Sequence, residues 1–209
     1  MGLILPYDTE TSGLPLYRER SSDERQPHLV QLGAVLVDED SRDIKEQMSV
    51  IIRPDGWDFS PEAVEKHGIT VEQAMDEGIP EKEAFEQFLE LWKQCEFRVG
   101  HNEKFDARIM RIATFRYASS DIIDAWDEAK AECTMNMSKD ICQIPASAKA
   151  RRFGKIKNPN LGEAYKHFTG NELKNAHDAL ADTLGCMAVY FGVKDHLAAQ
   201  EAANYQIQL

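Results

Sequence analysis

Tyr7-Asp8-Thr9-Glu10-Thr11-Ser12-Gly13-Leu14 is the stretch whose reading decides the fold. Asp8 and Glu10 are two residues apart, so in an extended segment both project from the same face. Two carboxylates held side by side repel, and each resists ionising unless a cation lies between them. Ser12-Gly13 then breaks the strand and leaves the acidic pair at its end, where an open sheet places its ligands. In a chain with 36 acidic residues such pairs arise often by chance, and most sit on solvated faces. The pair acquires meaning only from partners elsewhere in the chain.

A length of 209 residues favours one domain over 1–209 with room for a sizeable core, residues 205–209 being a frayed tail. Hydrophobic residues make up 43% and charged residues 29%, an ordinary balance for a soluble globular protein. No apolar run is long enough to span a membrane, and the N-terminus lacks the basic and apolar regions of a secretory signal. Cys95, Cys133, Cys142 and Cys186 show neither CxxC nor zinc-type spacing and read as reduced thiols in a cytoplasmic protein. A net charge of -12 opposes tight, sequence-independent duplex binding, which depends on phosphate neutralisation by Lys and Arg. An acidic body is still compatible with a carboxylate metal site, provided basic residues gather where phosphates lie.

Along the chain, Leu3 to Asp8 reads as a first strand, against which Pro6 is an objection, because proline donates no ladder hydrogen bond. Residues 14 to 27 read as a charged surface loop. Leu29 to Val37 and Met48 to Ile52 form a hairpin around the turn cluster Asp38-Glu39-Asp40-Ser41. Ser60-Pro61 starts a short helix that Gly68 stops, and Thr70 with Gln73 starts another. Glu81 to Gln94 carries Ala84, Phe85, Phe88, Leu89 and Trp92 at helical spacing. Glu96 to Gly100 is a fourth strand, and Asn102 reads as the N-cap of a helix through Phe105, Ile109, Ile112 and Phe115. A fifth short strand falls near Cys133-Thr134-Met135. Leu161 to Phe168 and Asn175 to Phe191 read as helices, with a separate last helix from Asp195 to about Asn204. The expected architecture is therefore α/β, a mixed five-stranded sheet flanked by helices.

Two further segments stand in contexts that suggest chemistry. Gly100-His101-Asn102-Glu103-Lys104-Phe105-Asp106 places Asp106 in the first turn of a helix leaving a strand end, where the macrodipole favours a carboxylate; a purely electrostatic cap is the plain alternative. His177-Asp178-Ala179-Leu180-Ala181-Asp182 opens the long helix. If both were helical, His177 and Asp182 would lie about 140° apart, so they converge only if His177 belongs to the entering loop. Asp182 sits among Ala179, Ala181, Leu184 and Cys186, where a lone carboxylate is costly. Taken alone, His177 reads as a surface or capping histidine.

Together, Asp8-x-Glu10 with Thr-Ser-Gly-Leu, Gly-His-Asn-x-x-Phe-Asp106 and His177-x-x-x-x-Asp182 resemble the three exonuclease motifs of the DEDD family, histidine subclass. That family includes the proofreading subunit of bacterial replicative polymerase, ribonuclease T, TREX-type nucleases and oligoribonuclease. The resemblance spans Tyr7 to about Tyr190, and Lys66-His67-Gly68-Ile69-Thr70 is similar to a turn frequent in the family. The overall texture is similar to bacteriophage or prophage members, which implies the cytoplasm of a bacterium or phage-infected host.

The resemblance implies a ribonuclease H-like fold and two magnesium or manganese ions, with Asp8, Glu10, Asp106 and Asp182 as ligands. Carboxylates suit such hard cations. It further implies that His177 takes the proton of the attacking water, and that nucleoside 5'-monophosphates leave the 3' end of single-stranded DNA. Thr9, Thr11, Ser12, Gly13 and Leu14 would cradle the terminal nucleotide, with His101, Asn102 and Phe105 nearby. The same chemistry on RNA or oligoribonucleotides is an alternative, because that choice rests on contacts to the 2'-hydroxyl. A catalytically idle, polymerase-associated binding module is another, against which the intact acidic set and histidine argue. Two departures stand out: Pro6 replaces a plain apolar strand residue, and Cys133-Thr134-Met135 takes the place of the family's Asp-Thr-Leu. The tail Gln206-Ile207-Gln208-Leu209 is similar to sliding-clamp-binding peptides, although tails of this composition usually fray.

Between Ile141 and Gly162 there is no acidic residue, while Lys149, Arg151, Arg152, Lys155 and Lys157 fall within nine positions. A solvated loop is the plain reading; contact with the phosphate backbone is the functional one. If the functional reading holds, replacing Lys149, Arg151, Arg152 and Lys155 with alanine raises the Michaelis constant for single-stranded DNA and flattens its salt dependence. An unchanged constant with an unchanged salt slope sinks the idea.

Overall fold

A computed structural model describes residues 2–147 and 154–207, the last two by backbone alone. The strands are β1 (Leu3–Thr11), β2 (Leu29–Asp38), β3 (Ile44–Arg53), β4 (Ile79–Pro80), β5 (Phe97–Gly100) and β6 (Ala131–Cys133). The helices are α1 (Pro61–His67), α2 (Val71–Glu77), α3 (Glu81–Trp92), α4 (Glu103–Tyr117), α5 (Ser120–Glu128), α6 (Thr134–Cys142), α7 (Leu161–Thr169) and α8 (Ala179–Ile207). The sheet order is β4-β3-β2-β1-β5-β6. β2 runs antiparallel to its neighbours β1 and β3, while β5 and β6 extend the sheet in parallel from β1. This is the mixed, helix-flanked α/β sheet expected from the sequence, with six strands rather than five. The extra strand is β4, two residues paired parallel to β3 at Ile52↔Ile79 and Arg53↔Pro80. So short a strand, half of it proline, carries no alternating pattern.

Pro6 lies in the central strand. The β1–β2 ladder pairs Leu3↔Asp38 and Ile4↔Val37, then resumes in the same register at Tyr7↔Ala34. The gap falls at Leu5 and Pro6, where the imide nitrogen has no proton to give. On its other side Pro6 pairs with Val99 of β5, so the strand runs straight through the proline.

The alternation of β1 sorts its side chains between two cores. Leu5 and Tyr7 join Leu32, Ala34 and Leu36 under Phe85 and Phe88 of α3 and Ile109 and Ile112 of α4. Ile4 joins Val35, Val37 and Val99 under Cys186, Tyr190 and Phe191 of α8. By this parity Asp8 and Glu10 project towards the α8 face and Thr9 towards α4. The first turn of α4 is pinned by a buried ion pair, Arg98 Nε to Glu103 Oε1 at 2.8 Å. Tyr7 donates its hydroxyl to the same oxygen, and the Arg98 guanidinium lies 4.0 Å from the Trp126 ring centroid.

Several boundaries differ from the sequence expectation. The two helices expected over 175–191 and 195–204 are one helix of 29 residues, so α8 runs into the stretch read as a tail; Gln208 and Leu209 lie outside the described residues. Gly192, between the two expected helices, is a packing residue: a Cβ there would come within 2.7 Å of Phe168 Cβ in α7. The helix begins at Ala179, because Asn175 and His177 adopt left-handed φ values of 54° and 70°. The strand near 133–135 lies at Ala131–Cys133, and α5 and α6 on either side of it had no counterpart in the reading. All four cysteines are free. Among the described residues no helix is long and apolar enough to cross a membrane.

Gly33 sets how closely α8 approaches the sheet. It pairs with Asp8 in the β1–β2 ladder, and a Cβ there would stand 2.4 Å from the carbonyl oxygen of Ala179. That contact is with backbone, so the helix itself would have to move. Gly33→Ala is expected to cost about 2 kcal/mol or more, read as a clear fall in Tm. Gly162→Ala, whose Cβ meets only Asn160 Oδ1 at 3.6 Å, is expected to be neutral or mildly stabilising. Equal melting temperatures for Gly33→Ala and the wild type would refute the close-packing account.

Candidate active site

The carboxyl ends of the parallel neighbours β1 and β5 open onto a cleft, the position at which such sheets bind ligands. β1 delivers Asp8 and Glu10 to it. β5 ends at Gly100, after which the chain turns through His101 and Asn102 into α4. Asn102 is the N-cap residue of α4, as expected, although it has a left-handed φ of 70° and makes no side-chain capping bond. Its conformation turns the chain so that Asp106, one turn into α4, reaches back to β1. Asp106 Oδ1 accepts from the Thr9 amide at 3.1 Å and from the Thr9 hydroxyl at 2.8 Å. Thr9 faces α4 by strand parity and there positions Asp106.

The entrance of α8 is held from β2. Gln31 Nε2 donates to Asp178 Oδ2 at 2.8 Å, and Gln31 Oε1 accepts from the Ala179 amide at 3.0 Å. Asp178 Oδ1 accepts from the Ala181 amide at 2.9 Å, the bond of an N-cap. His177 precedes this cap in the left-handed region, so it belongs to the entering loop while Asp182 belongs to the helix. The His177 amide donates to Asp182 Oδ2 at 3.1 Å. The His177 side chain is 47% exposed, with Nδ1 3.8 Å from Glu10 Oε1. Glu10, His177 and Asp182 each offer a ligand atom, all within 4.8 Å of one another, a cluster that could hold a metal ion.

Asp8, Glu10, Asp106, Asp182 and His177 line one cleft of about 320 Å³, together with Thr9, His101, Asn102 and Phe105. A second hollow of about 200 Å³ adjoins it and is mostly apolar, walled by Leu14, Ala63 and Phe105 with Thr11 and Gly13. Leu14 is 76% exposed, its side chain free at the rim. Ser12 borders neither hollow. Its hydroxyl accepts from the His28 amide, and its carbonyl accepts from the Ser60 amide, which ties β1 to β2 and α1. Both His101 ring nitrogens are engaged within the protein, Nδ1 with the Thr134 hydroxyl at 2.9 Å and Nε2 with the Pro159 carbonyl at 3.1 Å. Lys155 is exposed, its carbonyl accepting from the Ala146 amide; Lys149, Arg151 and Arg152 lie outside the described residues. Sequence reasoning did not single out Lys66 and His67 as site residues, though both border the apolar hollow. The Lys66-His67-Gly68 turn was the available signal.

The electrostatics of the cleft are those of crowded carboxylates. Burial pushes Asp8 well above the usual range, reinforced by Asp106, Asp182 and Glu10 and opposed by Lys66. Burial likewise raises Glu10 to about 7, with Lys66 opposing and Asp182 and Asp178 adding to it. Asp106 is raised to about 7 by burial, against its two bonds from Thr9. Asp182 is raised by burial, against the His177 amide. Asp182 Oδ1 is buried without a hydrogen-bond partner, the arrangement expected of an oxygen kept for a cation. An all-oxygen carboxylate set with one orphaned oxygen fits a hard divalent ion.

The sequence profile of the ribonuclease T group, described as "Exonuclease", matches residues 5–190. No curated protein sequence matches the chain. Among solved structures, E. coli exonuclease I in complex with a dT13 oligonucleotide superposes with a TM-score of 0.72 at 21% identity, covering 98% of this chain and 44% of that one. The same enzyme in complex with a dA16 oligonucleotide gives a TM-score of 0.69 at 20% identity, covering 93% and 41%. At such identity the likeness shows the fold. The chain spans less than half the length of these structures.

Glu10 makes the metal-free protein sensitive to pH. Its value in the folded chain is about 7 against an ordinary 4.5, so as pH rises the unfolded chain loses the proton first. Ionising Glu10 therefore penalises the folded state progressively from about 4.5 to 7 and fully above that, on the order of 3 kcal/mol. In the presence of a chelator, Glu10→Gln is expected to match the wild type in Tm near pH 4.5 and exceed it above pH 7. Magnesium is expected to raise the wild-type Tm and narrow the gap. A difference independent of pH would show that crowding of charge is not what destabilises the cleft.

Proposed function

The chain belongs to the exonuclease family, and from that membership we propose that it is a metal-dependent 3'-5' exonuclease acting on single-stranded DNA by two-ion hydrolysis. The observation that carries the reading is the convergence of Asp8 and Glu10 from β1, Asp106 from α4 and Asp182 from α8 on one cleft with His177. The adjoining apolar hollow supports it by offering space for a terminal nucleobase. Oligonucleotides bound to the solved exonuclease I structures support DNA as the substrate class.

In this mechanism Asp8, Glu10, Asp106 and Asp182 would hold two magnesium or manganese ions. Those ions, when bound, supply positive charge for the attacking and leaving oxygens of an in-line displacement. The protein's own contribution is placement. Leu14, Ala63 and Phe105 receive the 3'-terminal base, and the neighbouring carboxylate cleft receives its phosphate. His177 accepts the proton of the attacking water, whose oxygen bonds to phosphorus as the bond to the 3'-oxygen breaks. That oxygen takes up a proton from solvent, and a nucleoside 5'-monophosphate departs. The half-exposed ring of His177 can then return its proton to solvent. Thr9 keeps Asp106 in place, and the Gln31–Asp178 pair keeps the α8 entrance in register, so neither carboxylate has to be ordered during reaction. Lys149, Arg151, Arg152 and Lys155 would guide the strand. One domain would contain the whole apparatus.

Digestion of 5'-labelled single-stranded DNA, duplex DNA and RNA with magnesium tests the reading. The label is expected to shorten from the 3' end, fastest on single-stranded DNA. Asp8→Ala is expected to be inactive, and His177→Ala slower by about 10² to 10⁴-fold. Activity that survives EDTA or Asp8→Ala would overturn the two-ion proposal, and faster degradation of RNA would move the substrate class.

A further inference from the structure

Lys66 is the only cationic side chain, among the described residues, that borders both hollows. Its position is set by α1, whose two ends are both capped. The Ser60 hydroxyl accepts from the Ala63 amide, and Gly68, at a left-handed φ of 73°, donates its amide to the Val64 carbonyl. Lys66 occupies the last turn, so its side chain starts from a fixed point at the junction of the hollows. It is exposed, and among the described residues it forms no ion pair within 4.0 Å. It is nevertheless close enough to act electrostatically on Asp8, Glu10 and Asp182. An ammonium offers three donors, and here they face a cleft whose carboxylates suit cations.

Building on the exonuclease reading, we infer that Lys66 grips the phosphate of the 3'-terminal nucleotide and holds it as the departing nucleoside 5'-monophosphate. The argument is one of position and charge. A ligand with its base among Leu14, Ala63 and Phe105 carries its 5'-phosphate one sugar away, towards the carboxylates, and Lys66 stands at that boundary. Before cleavage the phosphodiester has a single negative charge, while the released monoester has close to two near neutral pH. The attraction of Lys66 therefore grows as the bond breaks, and the product is held more tightly than the intact strand end. Lys66 is then a determinant of product inhibition as well as of substrate placement. Its other conceivable role, merely offsetting the negative cleft in the absence of ions, needs no contact with the phosphate and leaves the affinity for the monophosphate unchanged when Lys66 is lost.

Calorimetric titration of thymidine 5'-monophosphate into the magnesium-loaded wild type, Lys66→Met and Lys66→Arg separates these roles. Lys66→Met is expected to weaken binding about tenfold, the loss of one charge-assisted contact, and Lys66→Arg to stay within about threefold of wild type. Thymidine, which lacks the phosphate, is expected to bind wild type and Lys66→Met equally. The rise in Tm on adding magnesium alone is expected to be unchanged or larger in Lys66→Met, because a like charge has been removed from beside the ions. Unchanged affinity for thymidine 5'-monophosphate in Lys66→Met overturns the inference, as does a smaller magnesium-induced rise in Tm. If the wild type shortens DNA from its 3' end while Lys66→Met keeps its affinity for the monophosphate, this inference alone falls. If the wild type shortens no DNA, the exonuclease reading falls with it.

Discussion

Carboxylates brought together in a poorly solvated cleft resist ionisation, and the rest of this structure is arranged around that resistance. Asp8, Glu10, Asp106 and Asp182 are each pushed upward chiefly by burial; neighbouring carboxylates add to the rise, while Lys66, Thr9 and the His177 amide oppose it. Such crowding opposes folding unless positive charge enters. A protein that needed only stability would not assemble this group. Asp182 Oδ1, buried without a partner, shows the same priority, because an ordinary buried carboxylate would have both oxygens satisfied.

Holding repelling groups in place requires constraints from several directions. Asp106 is tied to β1 through Thr9, and the turn that carries it is anchored by the buried Arg98–Glu103 pair beneath Tyr7. The start of α8 is tied to β2 through Gln31, and Gly33 allows that helix to lie directly on the strand beside Asp8. The two sides of the sheet thus contribute different carboxylates to one strand end. Strand alternation sends Asp8 and Glu10 towards α8, while Thr9 turns to the opposite side and fastens α4.

The elements that were legible in the sequence are those whose pattern is local. The β2–β3 hairpin, the Ser60 and Thr70 caps and the amphipathic stripe of α3 all follow from residue spacing. The misread elements depend on distant contacts. Residues 191–195 read as a boundary between two helices until Gly192 is seen packed against Phe168 of α7. Asn102 is the N-cap its position suggests, but its left-handed turn is visible only in the fold. β4 exists because β3 offers an edge to two residues that have no strand character of their own. Pro6 seemed to oppose a central strand, yet the ladder resumes beyond it in unchanged register, since one missing donor costs far less than the paired strand contributes.

What the sequence determined by itself was the identity and order of the acidic and histidine motifs, and with them the α/β class. These depend on residue type and short-range spacing, which survive without any knowledge of packing. Only the tertiary structure decided that His177 lies outside the helix while Asp182 lies inside it. Only the packing of α1 against the strand end brought Lys66 to the junction of the two hollows. The reason is geometric: a motif names which groups are available, but charges act through space, and the distances between these groups are set by Gly33, Gln31 and the capped ends of α1 rather than by the motifs themselves.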